Sequence, residues 1–246
     1  PERFLSPKIH IVSVAVQRKG VETSLSYRAV LWDLDGTLTD SQEGILRCTQ
    51  YALKACGIEE SDPQKLIRFI GPPLAYSFAT FYQMQEPMVS FAVEKYRERY
   101  GTVGWKENRL YPGIANCLKA LKATGYQVAM ATAKPEFYAK KIVAFFELTP
   151  YFDAVIGSSM EHSDASKAYL MQRAMQQLHI PETQKEQVVM IGDRKFDAEG
   201  AAACGLPFIG VHYGYAPVGE LESYPSVYLA DTVSDLKTFL LEHAAS

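Results

Sequence analysis

The feature that most constrains the fold is a regular alternation of short apolar segments and amphipathic segments after Gly113. The apolar segments predict strands over residues 127–132, 154–156, 187–191 and 208–211, with helical patterns between them. Strands that alternate with helices form a parallel sheet, because each parallel connection must cross over a face of the sheet. The sequence therefore predicts an α/β fold with a parallel sheet that helices cover on both faces.

Two aspartates one residue apart follow another short apolar segment, residues 29–32, which predicts a buried strand. In an open α/β sheet, ligands bind at the carboxyl ends of the strands. Side chains two positions apart on an extended chain point to the same side, so Asp33 and Asp35 can face one site. Two neighbouring carboxylates repel unless a cation joins them. Because Mg²⁺ prefers oxygen ligands and often shares its site with a phosphate, the pair predicts a magnesium-assisted phosphate site.

Polar residues also mark the ends of later elements. Thr132 ends one predicted strand, and Asp193 directly follows another. Asp197 comes four residues after Asp193, at the start of a helical pattern, and Lys167 opens the helix that precedes the strand before Asp193. With its acid pair, hydroxyl, lysine and second acid pair in this order, the chain resembles the haloacid dehalogenase-like (HAD-like) phosphohydrolase superfamily over roughly residues 28 to 245.

Further segments narrow the resemblance to one branch of that superfamily. They are Gly192-Asp193-Arg194, Ile70-Gly71-Pro72-Pro73-Leu74 and Gly210-Val211-His212-Tyr213-Gly214-Tyr215. They are similar to segments of members described as phosphoglycolate phosphatases or 5′-nucleotidases. The resemblance implies a Rossmann-like core with an inserted helical cap. It also implies a Mg²⁺-dependent phosphatase whose partner is a small phosphorylated metabolite.

The resemblance assigns an expected role to each residue at the strand ends. Asp33 is expected to be the nucleophile that becomes an aspartyl phosphate. Asp35 is expected to protonate the leaving oxygen and then to deprotonate water. Mg²⁺ is expected to be bound by carboxylates of Asp33 and Asp193 and by the backbone carbonyl of Asp35. The hydroxyl of Thr132 and the amide of Ala133 are expected to bind phosphate oxygens.

A lysine is expected to screen the charge between nucleophile and phosphate, and two candidates compete for this role. Lys134 follows the second motif, where the phosphoglycolate phosphatase branch often has a Lys-Pro pair. Lys167 stands at the distance expected for the third motif, although Ala168 replaces the proline that usually follows. We favour Lys167 and expect its ammonium within about 4 Å of an oxygen of Asp33 or Asp197. Asp197 is expected to orient this lysine or to support the water shell of the metal.

Residues 41–110 show helical patterns and no evident strand, which predicts an all-helical cap inserted into a core of residues 28–40 and 111–246. Because the insertion leaves the core directly after the two aspartates, the cap is expected to cover the site, with the break at Gly71-Pro72-Pro73 close to substrate. The helical spacing of its aromatic residues favours a cap core over a base-stacking surface. Arg47, Arg68 and Lys106 are open either as substrate contacts or as solvated surface residues. Residues 1–27 are predicted to be a dispensable extension.

Composition limits the remaining classes of function. The net charge is −3 and no stripe of basic residues is present, which argues against binding a nucleic-acid polymer. No apolar run approaches the ~20 residues that a membrane-spanning helix needs. Scattered cysteines without CxxC spacing predict buried free thiols and a cytoplasmic location; they are Cys48, Cys56, Cys117 and Cys204. The oligomeric state is not predicted.

Alternatives stay open at this stage. A phosphohexose mutase of the same superfamily keeps acids at the positions of both Asp33 and Asp35, whereas dehalogenases and phosphonatases lack the second one. The alternative outside the enzymes is a protein that binds a phosphorylated ligand without turnover, and the intact acid pair argues against it. A single aspartate after a strand is often a turn or helix-cap residue, so Asp40 and Asp197 keep that alternative as well.

Overall fold

The structure is a computed structural model, and it describes residues 26–160 and 166–245. The predicted dispensable extension therefore lies outside the described residues, except for its last two. Tyr27 is buried, and its backbone forms a parallel bridge to Ala244. Tyr27, which the sequence analysis assigned to the extension, thus packs with the core.

A six-stranded parallel sheet is the centre of the described fold. The described residues form eight strands, which are β1 (Ala29–Trp32), β2 (Thr39–Asp40), β3 (Arg109–Leu110), β4 (Gln127–Pro135), β5 (Ala154–Ser158), β6 (Val188–Gly192), β7 (Phe208–Val211) and β8 (Tyr228–Ala230). Of these, β2 and β3 pair with each other outside this sheet. The sheet has the order β5-β4-β1-β6-β7-β8, and all neighbouring strands in it are parallel. This confirms the predicted α/β, Rossmann-like core. Because β1 lies between β4 and β6, the carboxyl ends of these strands bring Asp33, Thr132 and Asp193 to one edge.

Helices fill the remaining chain much as the sequence pattern predicts. They are α1 (Gln42–Ala55), α2 (Pro63–Leu66), α3 (Leu74–Tyr82), α4 (Met88–Thr102), α5 (Ile114–Ala123), α6 (Glu136–Phe145), α7 (Lys167–Gln177), α8 (Lys195–Cys204) and α9 (Val233–Glu242). The turn between α1 and α2 follows the expected capping rules. Gly57 has a φ of 78°, a left-handed conformation that glycine adopts without strain, and Asp62 accepts a hydrogen bond from the backbone N–H of Gln64.

The two faces of the sheet have separate hydrophobic cores. Along β1 the side chains alternate, with Val30 and Trp32 on one face and Leu31 on the other. One core lies under α7 and α8, and includes Leu170 from α7. The other core lies under α5, α6 and α9 and continues without a break into the helices before residue 103, through residues such as Leu53. The inserted helices therefore share a core with one face of the sheet.

The prediction that residues 41–110 contain no strand is wrong at its last two residues. Arg109 and Leu110 form β3, which pairs antiparallel with β2 in the register Thr39 to Leu110 and Asp40 to Arg109. A two-residue strand has no room for a periodic pattern, so the sequence alone does not reveal it. The pair joins the chain where it enters the inserted helices to the chain where it leaves them.

Strand β4 also runs three residues past its predicted end at Thr132. Its register with β5 shifts between Thr132 and Pro135, so Ala133 and Lys134 form a bulge. Bulges are common beside active sites, because they redirect a side chain that regular pairing would place elsewhere. This bulge lies at the same edge of the sheet as Asp33. Among residues 26–160 and 166–245, no helix combines the length and apolarity needed to cross a bilayer.

Candidate active site

The end of β1 places Asp33 beside the lysine that the sequence favours. Lys167 Nζ lies 2.7 Å from Asp33 Oδ1 and 2.7 Å from Asp197 Oδ1. This confirms the expected position of Lys167. Burial alone would lower the pKa of Lys167, but the charges and hydrogen bonds of Asp197 and Asp33 outweigh burial and raise it. The ammonium therefore stays charged at neutral pH.

Asp193 is fully buried, and backbone from two distant loops surrounds it. Its carboxylate accepts hydrogen bonds from the backbone N–H of Tyr215 at 2.7 Å and from the hydroxyl of Thr37 at 3.3 Å. A Cβ atom at Gly36 or Gly214 would overlap the Asp193 side chain. Only glycine leaves enough space at these two positions, and Gly36 also has a φ of 83°. The Asp193 carboxylate is therefore held in one orientation.

Three carboxylates gather at this edge of the sheet. One oxygen from each of Asp33, Asp193 and Asp197 lies within 4.8 Å of the others. Burial and then the charges of Asp197 and Asp33 raise the pKa of Asp193 well above its usual range. Burial also raises the pKa of Asp197, to about 6, although Lys167 opposes the shift. One lysine does not balance three acids, so the donor set fits a hard divalent cation such as Mg²⁺.

Lys134 also points into the site. The sequence analysis expected only one of the two lysines there. Its Nζ lies 2.6 Å from Asp35 Oδ2, and its side chain is only 6% exposed. The two lysines thus bind different aspartates rather than competing for one. The position directly after a strand-end hydroxyl was the signal for Lys134, but the bulge that directs its side chain is not visible in the sequence.

Thr132 and Ala133 lie where the resemblance expects phosphate ligands. Thr132 is buried at the end of regular pairing in β4, and its hydroxyl accepts a hydrogen bond from the backbone N–H of Lys134. The carbonyl of Ala133 accepts a hydrogen bond from the hydroxyl of Ser158 at 2.8 Å. Ser158 therefore fixes the bulge from the neighbouring strand. The phosphate-binding roles of Thr132 and Ala133 stay predictions, as do the metal-binding roles of Asp33, Asp35 and Asp193.

The loop after β7 supplies contacts that the sequence analysis did not assign. The Tyr215 hydroxyl donates a hydrogen bond to Asp40 at 2.7 Å, and the Tyr213 hydroxyl donates one to the Thr37 carbonyl at 3.1 Å. Asp40 also accepts a hydrogen bond from the backbone N–H of Gln42 at the start of α1. Asp40 therefore forms a local turn contact directly before Ser41, the N-cap of α1, which agrees with its alternative interpretation as a turn residue. The position of this loop directly after a strand of the parallel sheet was the available signal.

The inserted helices contact the core beside Asp193. Arg194 Nη1 donates a hydrogen bond to the carbonyl of Ile70 at 3.1 Å, and Arg194 Nε pairs with Glu220 at 2.7 Å. Gly71 follows Ile70 with a φ of 108° and lies against Arg194. The break at Gly71, which was expected near substrate, therefore lies next to Arg194, the residue that follows Asp193.

The three basic residues considered as substrate contacts have partners within the inserted segment. Arg47 pairs with Glu43 and Glu107, each at 2.9 Å. The guanidinium of Arg68 lies 4.0 Å from the ring centroid of Phe81, and Lys106 lies 5.3 Å from a ring centroid of Trp105. Most aromatic residues of the segment pack together as predicted, and the buried ones are Phe69, Phe78, Tyr96, Tyr100 and Trp105.

Comparison with known proteins places the chain in a family. The family model for haloacid dehalogenase-like hydrolases matches residues 30–211. A protein of Pseudomonas aeruginosa named 5′-nucleotidase is 38% identical over 223 residues, which cover 90% of this chain and 99% of that protein. The tyrosine-protein kinase PtkA of Mycobacterium tuberculosis is 31% identical over 230 residues, which cover 93% of this chain and 73% of that protein.

A solved structure agrees with the same assignment. The crystal structure of a predicted phosphatase from Clostridium acetobutylicum superposes with a TM-score of 0.82 at 39% sequence identity, and the match covers 88% of this chain and 99% of that one. The chain belongs to the haloacid dehalogenase-like hydrolase family.

Proposed function

We propose that the protein is a Mg²⁺-dependent phosphatase that hydrolyses a small phosphomonoester through a phosphoryl group carried on Asp33. The observation that carries the proposal is the convergence of Asp33, Asp193 and Asp197 within 4.8 Å, with Lys167 2.7 Å from two of them. Buried charges at this density are costly unless they are paired or bind a cation, and clusters of this kind are common at functional sites. The names of the relatives support a phosphoryl group as the reacting species.

In the first step, a carboxylate oxygen of Asp33 attacks phosphorus, and the bond between phosphorus and the leaving alcohol oxygen breaks. Asp35 gives its proton to that oxygen, so the product is a neutral alcohol. Lys167 keeps a positive charge beside Asp33 throughout, which lowers the repulsion between the carboxylate and the phosphoryl oxygens. Thr132 and the backbone amide of Ala133 bind phosphoryl oxygens and orient the group for in-line attack.

In the second step, Asp35 accepts a proton from water, and the water oxygen attacks phosphorus. The bond from phosphorus to Asp33 breaks, which releases inorganic phosphate and restores both aspartates. Mg²⁺, held by carboxylates of Asp33 and Asp193 and by the backbone carbonyl of Asp35, would neutralise charge on the phosphoryl oxygens. Asp197 orients Lys167, because one of its carboxylate oxygens pairs with the lysine. Its other oxygen accepts a hydrogen bond from the backbone N–H of Arg194, which holds the carboxylate in place.

The inserted helices favour a small substrate. They contact the core at Arg194 through the carbonyl of Ile70, so the site lies between the sheet edge and this segment. A lid over the site excludes bulky substrates and bulk water. A 5′-nucleotide or a small acid such as phosphoglycolate fits this restriction, and a cytoplasmic location fits a soluble metabolite. The name of the relative at 38% identity favours the nucleotide, and relatives at 27% and 26% identity are named phosphoglycolate phosphatase.

The alternatives differ in what accepts the phosphoryl group from Asp33. Water is the acceptor in a phosphatase, and a sugar phosphate is the acceptor in a mutase. The relative named tyrosine-protein kinase adds a tyrosine hydroxyl as a third acceptor. All three reactions use the same first step, so only the product distinguishes them.

The test is an assay of purified protein against a panel of small phosphomonoesters, with ATP plus a tyrosine peptide and a hexose phosphate as the competing arms. We expect inorganic phosphate from the esters, and no turnover in excess EDTA. Asp33→Asn should lower kcat by roughly 10⁴- to 10⁶-fold, the range seen when a nucleophile is removed. Since the variant is nearly isosteric, its circular dichroism should match the wild type. Activity that survives in Asp33→Asn or in EDTA would falsify the mechanism.

A further inference from the structure

The acid–base residue of the proposed reaction is held at one oxygen only. Lys134 Nζ binds Asp35 Oδ2 at 2.6 Å, and the Asp35 side chain is 16% exposed. The other oxygen, Oδ1, is buried and has no hydrogen-bond partner among the described residues. A carboxylate fixed through one oxygen presents the second in a defined direction. Lys134 therefore determines which oxygen of Asp35 is free to exchange a proton.

The backbone gives Lys134 little freedom to move away. It lies in the bulge of β4, where the backbone N–H of Lys134 donates to the Thr132 hydroxyl at 3.3 Å. The neighbouring strand approaches so closely that a Cβ atom at Gly157 would lie 2.5 Å from the Lys134 carbonyl oxygen. The Ser158 hydroxyl holds the preceding carbonyl as well. The direction of the Lys134 side chain is thus set by β4 and β5 together.

The inserted helices complete the surroundings of Lys134. Its ammonium lies 5.1 Å from the ring centroid of Tyr100 in α4, within the range of a cation–π interaction. Tyr100 is itself buried, stacks on Tyr96 at 5.6 Å and meets Tyr138 of the core edge to face at 5.0 Å. Tyr100 thus covers the ammonium of Lys134, and an ion pair shielded from water holds its partners more strongly than an exposed one.

We propose that Lys134 is a positioning residue that holds Asp35 in the orientation for proton transfer, and that it does so when Tyr100 of the inserted helices packs over it. The inference rests on the proposed function and deepens it. In the first step, Asp35 Oδ1 gives its proton to the leaving oxygen as the phosphorus–oxygen bond breaks. In the second step, Asp35 takes a proton from water. Lys134 keeps its three protons in both steps and exchanges none.

The test compares two esters that differ in their need for an acid. An alkyl phosphomonoester requires protonation of its leaving oxygen, whereas p-nitrophenolate leaves from p-nitrophenyl phosphate without it. Single-turnover release of the alcohol isolates the first step. For Lys134→Met we expect a loss of about 10²-fold with the alkyl ester, at the lower end for a general acid, and less than about threefold with the nitrophenyl ester. The apparent dissociation constants of both esters should stay near those of the wild type.

Matched variants separate positioning from structure. Lys134→Arg keeps the charge and should recover part of the lost rate. Tyr100→Leu removes the ring and should reproduce the leaving-group-selective loss, at about tenfold, whereas Tyr100→Phe should resemble the wild type. Lys140→Met removes an exposed lysine of α6, which pairs with Glu136, and should change neither ester. If Lys134→Met does not fold, Tyr100→Leu still tests whether the contact between Tyr100 and Lys134 positions Asp35.

Each contrary result has a defined meaning. An equal loss with both esters in Lys134→Met would assign Lys134 to the phosphoryl group and overturn the proposal, as would no loss with either. Wild-type rates in Tyr100→Leu would remove the inserted helices from the argument and overturn that part. If the wild type releases no alcohol from either ester, the proposed phosphatase function fails instead, and this result is visible before any variant is compared.

Discussion

The two lysines of the site each bind aspartates, but their surroundings differ in origin. Lys167, with Asp33 and Asp197, lies among residues supplied by β1, α7 and α8 of the core. Lys134, with Asp35, lies in a strand bulge under Tyr100 from the inserted helices. The half of the site that would bind metal and phosphoryl group is therefore built by the core alone. The half that would move protons is completed by the insertion.

This difference separates two tasks in a single site. Charge neutralisation needs a fixed cluster, and the buried ends of central strands supply one that does not depend on the position of a lid. Proton transfer is favoured where bulk water is excluded, and the contact with Tyr100 of the inserted helices would supply that. Variants in each half of the site test whether the two tasks are separate.

After the loss of turnover in Asp33→Asn, the next largest effect should come from Asp35→Asn. The amide cannot give or accept the proton, so kcat for alkyl phosphomonoesters should fall by about 10²- to 10⁴-fold. Because the expected metal ligand is the backbone carbonyl of Asp35 and not its side chain, the affinity for Mg²⁺ should stay close to that of the wild type. Steady-state kinetics with a Mg²⁺ titration measures both. A large loss of Mg²⁺ affinity with full turnover at saturating metal would move Asp35 into the metal-binding half.

The second effect concerns stability rather than rate. Lys167→Met leaves buried acids without their cation, so in EDTA the free energy of unfolding should fall by about 3 kcal/mol, as when one partner of a buried ion pair is removed. Lys134→Met should cost less, since it leaves one carboxylate unpaired and that carboxylate is more exposed.

Urea denaturation with and without Mg²⁺ measures this difference. Mg²⁺ at about 100 times its Kd should return about 2.7 kcal/mol to any variant whose native state keeps the metal site. We therefore expect Lys167→Met with Mg²⁺ to approach the stability of the wild type in EDTA. If Lys134→Met is less stable than Lys167→Met in EDTA, the buried charge is not concentrated around Lys167, and the proposed difference between the two lysines is wrong.

The smallest effect tests whether the inserted helices act as a lid. Gly71 and Gly57 both lie in the insertion and both have positive φ, but only Gly71 lies against Arg194. An alanine at either position should cost about 1–2 kcal/mol of stability, because a Cβ atom is strained in that conformation. Only Gly71→Ala should also raise KM, by about two- to tenfold. Equal KM values in the two variants would place the insertion outside substrate binding.

The sequence was sufficient for the parts of the site that depend on local pattern. Asp33 and Asp193 follow apolar strands, and Lys167 opens a helix, so each position follows from the element that carries it. Parallel topology then brings the strand ends together. The approach of Lys167 to Asp33 was predictable for this reason, and so was the alternation of faces along β1.

Other contacts depend on geometry that no local pattern records. The bulge that directs Lys134 toward Asp35 arises from a register shift between β4 and β5. The hydrogen bond from Tyr215 to Asp193 joins residues 22 positions apart through a close approach that two glycines permit. Strand β3 is too short to have a period. Each of these features is decided by packing between segments rather than within one.

The bridge between Tyr27 and Ala244 has a practical consequence for measuring these effects. The chain at Tyr27 and the chain after α9 are joined by two hydrogen bonds. The Tyr27 backbone N–H donates to the His243 carbonyl at 2.7 Å, and the Ala245 backbone N–H donates to the Tyr27 carbonyl at 2.9 Å. They meet just before β1 begins, at the amino ends of the strands, whereas Asp33 lies at the carboxyl ends. A biotin or a flexible tether attached near either segment should immobilise the protein on a sensor surface with the carboxyl ends of the strands facing the solution.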